Sequence, residues 1–254
     1  MSTGNKIALV TGGSRGLGKN SAISLAKKGI DVILTYHSKK EEALAVVAQI
    51  EQTGQKAVAI QLDAGNIKSF EAFYKQVADS LSHTFGATHF DFLVNNAGIG
   101  IGSSFEETTE EAFDELMNIH FKGVYFLTQK GLPLINNGGR IINISTGLAR
   151  FTYPGYSAYA SMKGAVETLT KYMAKELGVR GIAANLVAPG AIETDFGGAV
   201  LRNNEQVKNY IAGNTALGRT GIPDDIGGVV AFLCTEEAKW INGQRIEVSG
   251  GMYL

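Results

Sequence analysis

Thr11-Gly12-Gly13-Ser14-Arg15-Gly16-Leu17-Gly18 follows directly on the apolar run at 7–10 and opens into a helix-prone stretch at 19–28. A strand that feeds a helix through glycines needs them for two reasons: the backbone has to turn tightly, and a ligand has to come close to its N–H groups. A helix starting there offers unpaired amides and the positive end of its dipole, an arrangement suited to a pyrophosphate. A lone glycine run is weak evidence, because a plain tight turn explains it too, so the rest of the chain has to carry the reading.

Outward from this loop, short β-branched or aliphatic runs at 7–10, 32–36, 57–61, 92–94, 140–144, 183–187 and 246–248 alternate with longer stretches of helical period. Seven strands separated by helices imply an α/β fold, a doubly wound, mostly parallel sheet of Rossmann type. Right-handed crossovers then place helices on both faces, and ligands bind outside the carboxyl ends of the strands. The 254 residues read as one domain, 1–254, because no repeat, linker or composition shift divides them. The turn-rich segment 190–221 stands apart. Gly197-Gly198 and Gly213 flank a helix-prone piece there, which suits a lid over the site.

Composition narrows the classes of function. Hydrophobic residues make up 44% and charged residues 19%, enough for a packed core. Lys plus Arg (23) nearly balances Asp plus Glu (24), and no basic cluster exceeds a pair such as Lys39-Lys40. No positive field therefore exists to hold nucleic acid or an anionic membrane. The single cysteine, Cys234, excludes an internal disulfide and fits a reducing compartment. The start Met1-Ser2-Thr3-Gly4-Asn5-Lys6 carries no signal-peptide core, and no span of about 18 apolar residues occurs, so a cytoplasmic location is expected. The four histidines lack ligand spacing with one another or with Cys234, and no metal is expected.

Two further places point to chemistry. The second strand ends in Leu34-Thr35-Tyr36-His37-Ser38-Lys39-Lys40, where dinucleotide folds that prefer NAD put an acid to accept from the 2′-hydroxyl. No acid stands here. Arg15, Ser38 and His37 or Lys39 instead suit a 2′-phosphate through charge-assisted bonds, so NADP(H) is expected over NAD(H). A solvated loop is the other reading of a lysine pair. Further on, Tyr159-Ala160-Ser161-Met162-Lys163 sets a phenol and an ammonium four residues apart, on one face of a helix that begins near Ser157. A nearby cation lowers a phenol's pKa, as an acid/base tyrosine requires. Spacing alone proves little, since Tyr36 and Lys40 share it.

Order along the chain adds weight. The glycine loop follows strand one, Asn95-Asn96-Ala97-Gly98 follows strand four, Ser145-Thr146 follows strand five, then come the Tyr/Lys pair and Pro189-Gly190 with Thr194 after strand six. With these motifs the sequence resembles the short-chain dehydrogenase/reductase family, from about residue 6 to 251. The resemblance implies that Gly12, Gly16 and Gly18 hold a pyrophosphate, with Ser14 and Leu17 in the same loop, and that Arg15 is the basic residue of NADP-preferring members. Tyr36, His37 and Ser38 then border the adenosine ribose, and Asp63, with Ala64, meets the adenine edge. Asp63 also suits an N-cap for a helical stretch starting near Asn66. Asn95 with Ala97-Gly98 supports the sheet and the cofactor. Tyr159 is the proton donor, and Lys163 holds the nicotinamide ribose. Pro189, Gly190, Ile192 and Thr194 surround the carboxamide.

Two positions depart from the family pattern. Its serine stands thirteen residues before the tyrosine, and that count reaches Thr146, with Ser145 one step earlier. Successive strand residues point to opposite sides, so the spacing selects Thr146 for the substrate oxygen. His120 stands where the family has a catalytic Asn, two residues before Lys122-Gly123; Asn118 is rotated by about 200° along a helix and points elsewhere. An imidazole can carry a proton near neutral pH and so serve a relay, or it can be an interior histidine that holds the helix.

The expected activity is NADPH-dependent reduction of a ketone or aldehyde, reversible, in a pocket walled by Ile99, Phe151, Tyr153, Tyr156 and the lid residues 196–201. A 3-oxoacyl-carrier-protein reductase is the nearest rival, although the turn Asn136-Asn137 before Gly138 lacks the basic character that suits an acidic carrier. An NAD-linked alcohol dehydrogenase and a cofactor-binding sensor without catalysis are the others. The resemblance also implies a homotetramer packed through the helices near 110–134 and 158–177. The stripe Ala165, Leu169, Tyr172 and Met173 suits that, or the chain's own sheet.

Overall fold

Every strand expected from the sequence forms, most of them longer than the apolar pattern alone marks. The computed structural model describes residues 5–254; Met1 to Gly4, where the reading of the chain's start began, lie outside the described residues. In chain order the elements are β1 (Ile7–Val10), α1 (Gly16–Ala26), β2 (Asp31–Tyr36), α2 (Lys40–Glu51), β3 (Ala57–Gln61), α3 (Phe70–Ser80), β4 (Phe90–Asn95), α4 (Glu110–Met117) and α5 (Val124–Gly131). They continue with β5 (Ile135–Ile144), α6 (Ser157–Glu176), β6 (Ala183–Pro189), α7 (Val200–Asn203), α8 (Glu205–Gly213), α9 (Asp224–Leu233) and β7 (Arg245–Val248).

All neighbouring strands pair in parallel, in the order β3-β2-β1-β4-β5-β6-β7. The chain runs outward from β1 to β3, then crosses to the other side of β1 for β4. The sheet order therefore reverses between β1 and β4, and a crevice opens beyond their carboxyl ends. Alternate side chains feed two cores. Val10, Val32 and Leu34 pack under α1, α2 and α9 with Leu25, Val46 and Ile226. Leu9, Ile33 and Leu93 pack under α3, α5 and α6 with Phe73, Leu127 and Met173. Coverage of both faces explains why all six residues of β4 are buried.

Polar residues hid the true strand starts. Asp91 lies inside β4, where its carboxylate accepts from Lys6 Nζ (2.9 Å), the Ile7 N–H (2.9 Å) and Asn136 Nδ2 (3.0 Å). β5 begins five residues earlier than the Arg140 expected, because Asn136-Asn137-Gly138-Gly139 is absorbed as an irregularity between the pairs Phe90–Ile135 and Phe92–Arg140.

The segment 190–221 crosses the carboxyl edge of the sheet between β6 and α9. Gly197 and Gly198 are left-handed (φ 62° and 78°), a conformation that glycine adopts without steric cost. Gly213 is instead the last residue of α8, so the second expected flexible flank is helical. Among the described residues no helix is long and apolar enough to cross a membrane.

Candidate active site

The glycine loop is built by close approach. A side chain on Gly18 would sit 2.1 Å from the Gly12 carbonyl oxygen, and one on Gly12 would sit 3.0 Å from the Ala97 Cα. Arg15 is the N-cap of α1, yet its side chain makes no capping bond, which leaves the first-turn amides facing the crevice. Leu17 is half-buried, its side chain packed against the edge of the core. The loop is braced from β4. The Thr11 hydroxyl accepts from the Asn96 and Ala97 N–H groups (2.9 and 3.0 Å), and Asn96 Nδ2 donates to the carbonyls of Thr11 and Gly12 (2.9 and 3.1 Å).

Asn95 supports the sheet, as expected, from the face away from the glycine loop. As the last residue of β4 it points to the opposite face, where Nδ2 donates to Thr128 Oγ1 (2.9 Å) and Asn143 Oδ1 (2.8 Å) in the interior. Its side chain ties β4 to β5 and α5 and does not reach the loop; Asn96, which the sequence reading passed over, does. At the adenosine end Tyr36 is half-buried while His37 and Ser38 are exposed, and no carboxylate stands at the tip of β2. Arg15 is half-exposed, 3.8 Å from Asp195 of the segment 190–221. Asp63 accepts from the Gly65 N–H (3.0 Å) to close its own turn. The helical turn that follows starts after Asn66 and takes no side-chain cap, so Asp63 is not the N-cap. Ala64 sits in the same turn, its carbonyl against Gly123.

Tyr159 and Lys163 lie one turn apart on α6 and both are buried. Lys163 Nζ donates to the Ile144 carbonyl (2.7 Å) and stands 5.8 Å from the centre of the Tyr159 ring. Just past the end of β5 the alternation of side chains separates the two hydroxyls. Ser145 Oγ donates to Glu167 Oε1 (2.8 Å), whereas the Thr146 hydroxyl accepts from the Leu148 N–H (3.3 Å) and is near enough to act on the Tyr159 phenol. Burial pushes the Tyr159 phenol well above its usual range, and the hydrogen bond with Thr146 pulls it back in part. Burial also lowers the Lys163 ammonium to about 8.

His120 occupies a wide π-type turn, Asn118–Gly123, that joins α4 to α5. Its Nε2 lies 2.7 Å from the Ile99 carbonyl oxygen and 3.2 Å from the Ile99 N–H, and a Cβ on Gly98 would meet the ring at 2.6 Å. Burial first, and the charge of Lys163 second, bring the imidazole down to about 3. The ring is therefore neutral at physiological pH, which of the two expected roles favours the interior histidine over a titrating relay.

The aromatic wall forms a row. Ring centres are 6.1 Å apart from Tyr153 to Tyr156, 6.5 Å from Tyr156 to Tyr159, and 5.7 Å from Tyr159 to Phe196. Phe196 and Gly197 press on Gly100, so the segment 190–221 lies close over this part of the crevice. The small cleft left beside Tyr159 is lined by Ile101, Leu116, Gly155 and Ala158 among others. Ile99 packs in the cluster that holds Tyr159, but Phe151 leaves the wall and packs at 4.8 Å on Tyr253 of the C-terminal tail. Where the segment 190–221 begins, Gly190 donates to the Val248 carbonyl (3.0 Å), Ile192 pairs with Gly221, and Thr194 lies over Gly16. Pro189 ends β6 beside them.

A phenol, an ammonium and a hydroxyl thus converge at the carboxyl end of the sheet, beside an uncapped helix N-terminus. A family model described as enoyl-(acyl carrier protein) reductase matches residues 12–253. A hydroxynaphthalene reductase-like protein of Metarhizium majus is 36% identical, over 98% of this chain and 96% of its own. A 3-oxoacyl-(acyl-carrier-protein) reductase of Staphylococcus aureus is 39% identical, over 98% of both. Among solved structures, LugOII, a promiscuous reductase that catalyses keto-reduction at C1 during lugdunomycin biosynthesis, is similar at TM-score 0.93 and 38% identity, covering 98% of each chain. The angucycline C-6 ketoreductase LanV with bound NADP also reaches 0.93, at 35% identity over 98% of this chain and 95% of its own.

Proposed function

Because the chain belongs to the short-chain dehydrogenase/reductase family, we propose that it is an NADPH-dependent carbonyl reductase that converts a ketone or aldehyde to the alcohol, reversibly. The observation that carries this is the meeting of Tyr159, Thr146 and Lys163 at the crevice mouth, next to a glycine loop too tight for any other residue at Gly18. When bound, NADPH supplies a hydride to the carbonyl carbon. Gly12, Ser14, Gly16 and Gly18 with the α1 amides hold the pyrophosphate; Arg15, His37 and Ser38 take the 2′-phosphate; Asp63 and Ala64 border the adenine; Lys163 holds the nicotinamide ribose; and Pro189, Gly190, Ile192 and Thr194 surround the carboxamide. The absence of an acid at the end of β2 supports NADP(H) over NAD(H), as do the related structures solved with NADP or NADPH.

The chain's own groups manage the proton. Tyr159 Oη gives its proton to the carbonyl oxygen, the Thr146 hydroxyl donates a hydrogen bond to the same oxygen, and the Lys163 ammonium offsets the negative charge left on the phenol. His120, neutral, holds the Gly98–Ile99 turn and the Tyr159 ring in place. The hydroxynaphthalene reductase-like relative and the row Tyr153, Tyr156, Phe196 support an aromatic ketone as substrate.

The Staphylococcus aureus relative favours a second reading, reduction of a 3-oxoacyl group on a carrier protein. A panel of aryl ketones, aldehydes and carrier-bound 3-oxoacyl thioesters, each assayed with NADPH and NADH, separates the two. Fastest turnover of an aryl ketone with NADPH supports the first reading, fastest turnover of the thioester replaces it with the second, and no turnover of any carbonyl overturns both. A homotetramer in the cytoplasm goes with this proposal. The exposed Phe113, Tyr125 and Tyr172 on α4, α5 and α6 and the buried, free Cys234 support it, and light scattering tests the assembly.

A further inference from the structure

Tyr159 approaches the reacting oxygen from α6, and Thr146 approaches it from the end of β5. The separation of a helix and a strand end is therefore a dimension of the active site, and something has to hold it. The backbone ladder does so only as far as the Ser145 N–H, which donates to the Val187 carbonyl (2.8 Å). Beyond that point the Thr146 carbonyl accepts a long turn bond from the Ala149 N–H (3.4 Å) and a shorter one from a side chain at the edge of the sheet. Arg245, on β7, donates through Nη2 to the Thr146 carbonyl oxygen (3.2 Å).

The same guanidinium reaches two more partners. Nε donates to Glu167 Oε1 (2.9 Å) and Nη1 to Glu247 Oε2 (2.8 Å). Glu167 stands four residues after Lys163 and eight after Tyr159, on the face of α6 that carries both. Its Oε1 also accepts from Ser145. Glu247 is itself fixed from the other side by a two-pronged bond from Arg150 (2.7 and 2.6 Å). The Arg245 and Glu167 side chains are sheltered, 22% and 18% exposed. A planar donor fork with three fixed acceptors restricts direction as well as distance, which separates this arrangement from a surface ion pair between two loose side chains.

We propose that Arg245 is a positioning residue for carbonyl reduction: by tying the Thr146 peptide to Glu167 on the Tyr159/Lys163 helix, it sets the Thr146 hydroxyl at its working place beside the phenol. The inference rests on the assignment of Tyr159 and Thr146 to the reaction. Arg245 bonds no residue of the glycine loop and does not bond Lys163, so its loss strikes the chemical step and spares cofactor affinity. Misplacement of a reacting group by about 1 Å costs roughly 100-fold in rate, which sets the scale of the effect.

The test uses the full chain, an aryl ketone that the wild type reduces, and four variants: Arg245→Met, Arg245→Lys, Glu167→Gln and Tyr159→Phe. Two quantities are read, the single-turnover rate of NADPH oxidation and the Kd for NADPH from its fluorescence. Arg245→Met is expected to slow the single turnover about 10- to 100-fold with Kd within about threefold of wild type. Arg245→Lys recovers part of the rate, since one ammonium can serve Glu167 but not all three acceptors. Glu167→Gln falls between Arg245→Met and wild type. If Arg245→Met does not fold, Arg245→Lys and Glu167→Gln decide by the same two readouts. A wild-type single-turnover rate in the folded variants, or a loss confined to NADPH affinity, overturns the proposal. Retained turnover in Tyr159→Phe instead removes the assignment beneath it, and so the proposal too.

Discussion

The imidazole of His120 stands edge to face against the phenol of Tyr159, with ring centres 5.0 Å apart and planes at 86°. That contact, with the Ile99 bonds, makes His120 a neutral brace, because burial and the Lys163 charge hold its pKa near 3. The rate profile between about pH 5 and 8 should therefore have the same shape in wild type and His120→Asn. An inflection near 6.5 that vanishes in the variant restores a titrating relay.

Stability carries the complementary signature of the same group. With a folded pKa near 3 and an ordinary value of 6.5, the unfolded chain binds the proton that the fold refuses, so stability rises with pH through that window and falls as pH drops from 6.5 towards 3. His120→Asn should flatten this part of a plot of Tm against pH. An unchanged plot means that the imidazole titrates alike in the folded and the unfolded chain.

Lys163 gives a prediction on the alkaline side. Burial lowers it to about 8, so the ammonium that would bind the cofactor is lost as pH rises through that value. In the free enzyme kcat/KM for NADPH should fall above about pH 8, and Lys163→Ala should damage both NADPH affinity and turnover. Full activity in Lys163→Ala would remove it from the site.

Arg15 tests cofactor choice. Its present partner Asp195 is 3.8 Å away and both are substantially exposed, so the pair is worth about 0–1 kcal/mol and yields to a stronger anion. Arg15→Glu removes a charge-assisted bond to the 2′-phosphate and adds repulsion, a swing of about 2–4 kcal/mol in selectivity towards NADH. Measured kcat/KM ratios for the two cofactors decide this, and a wild type that already prefers NADH contradicts it.

The sequence revealed what depends on periodicity and order. Apolar runs located all seven strands, and the parity of successive residues past β5 separated Thr146 from Ser145. What it hid depends on three-dimensional surroundings. Asp91 and the Asn136–Gly139 stretch looked like breaks because their polar groups are satisfied by residues far along the chain. Asn95 and Asn96 are adjacent and chemically identical; only the direction of β4 at its last residue shows that Asn96 braces the loop. The neutral state of His120 follows from burial, which one residue's identity does not reveal. Arg245 lies 99 residues from Thr146, and no local pattern links them.

The central claim is that Tyr159 is the proton donor in a reduction driven by NADPH, and the most direct test is Tyr159→Phe, assayed for ketone reduction and for NADPH binding side by side. Removal of one hydroxyl from a buried ring leaves the packing against His120 and Phe196 in place, so NADPH Kd should stay close to wild type while turnover falls about 100- to 10,000-fold, the range that general acid catalysis supplies. Turnover unchanged in Tyr159→Phe would contradict the account.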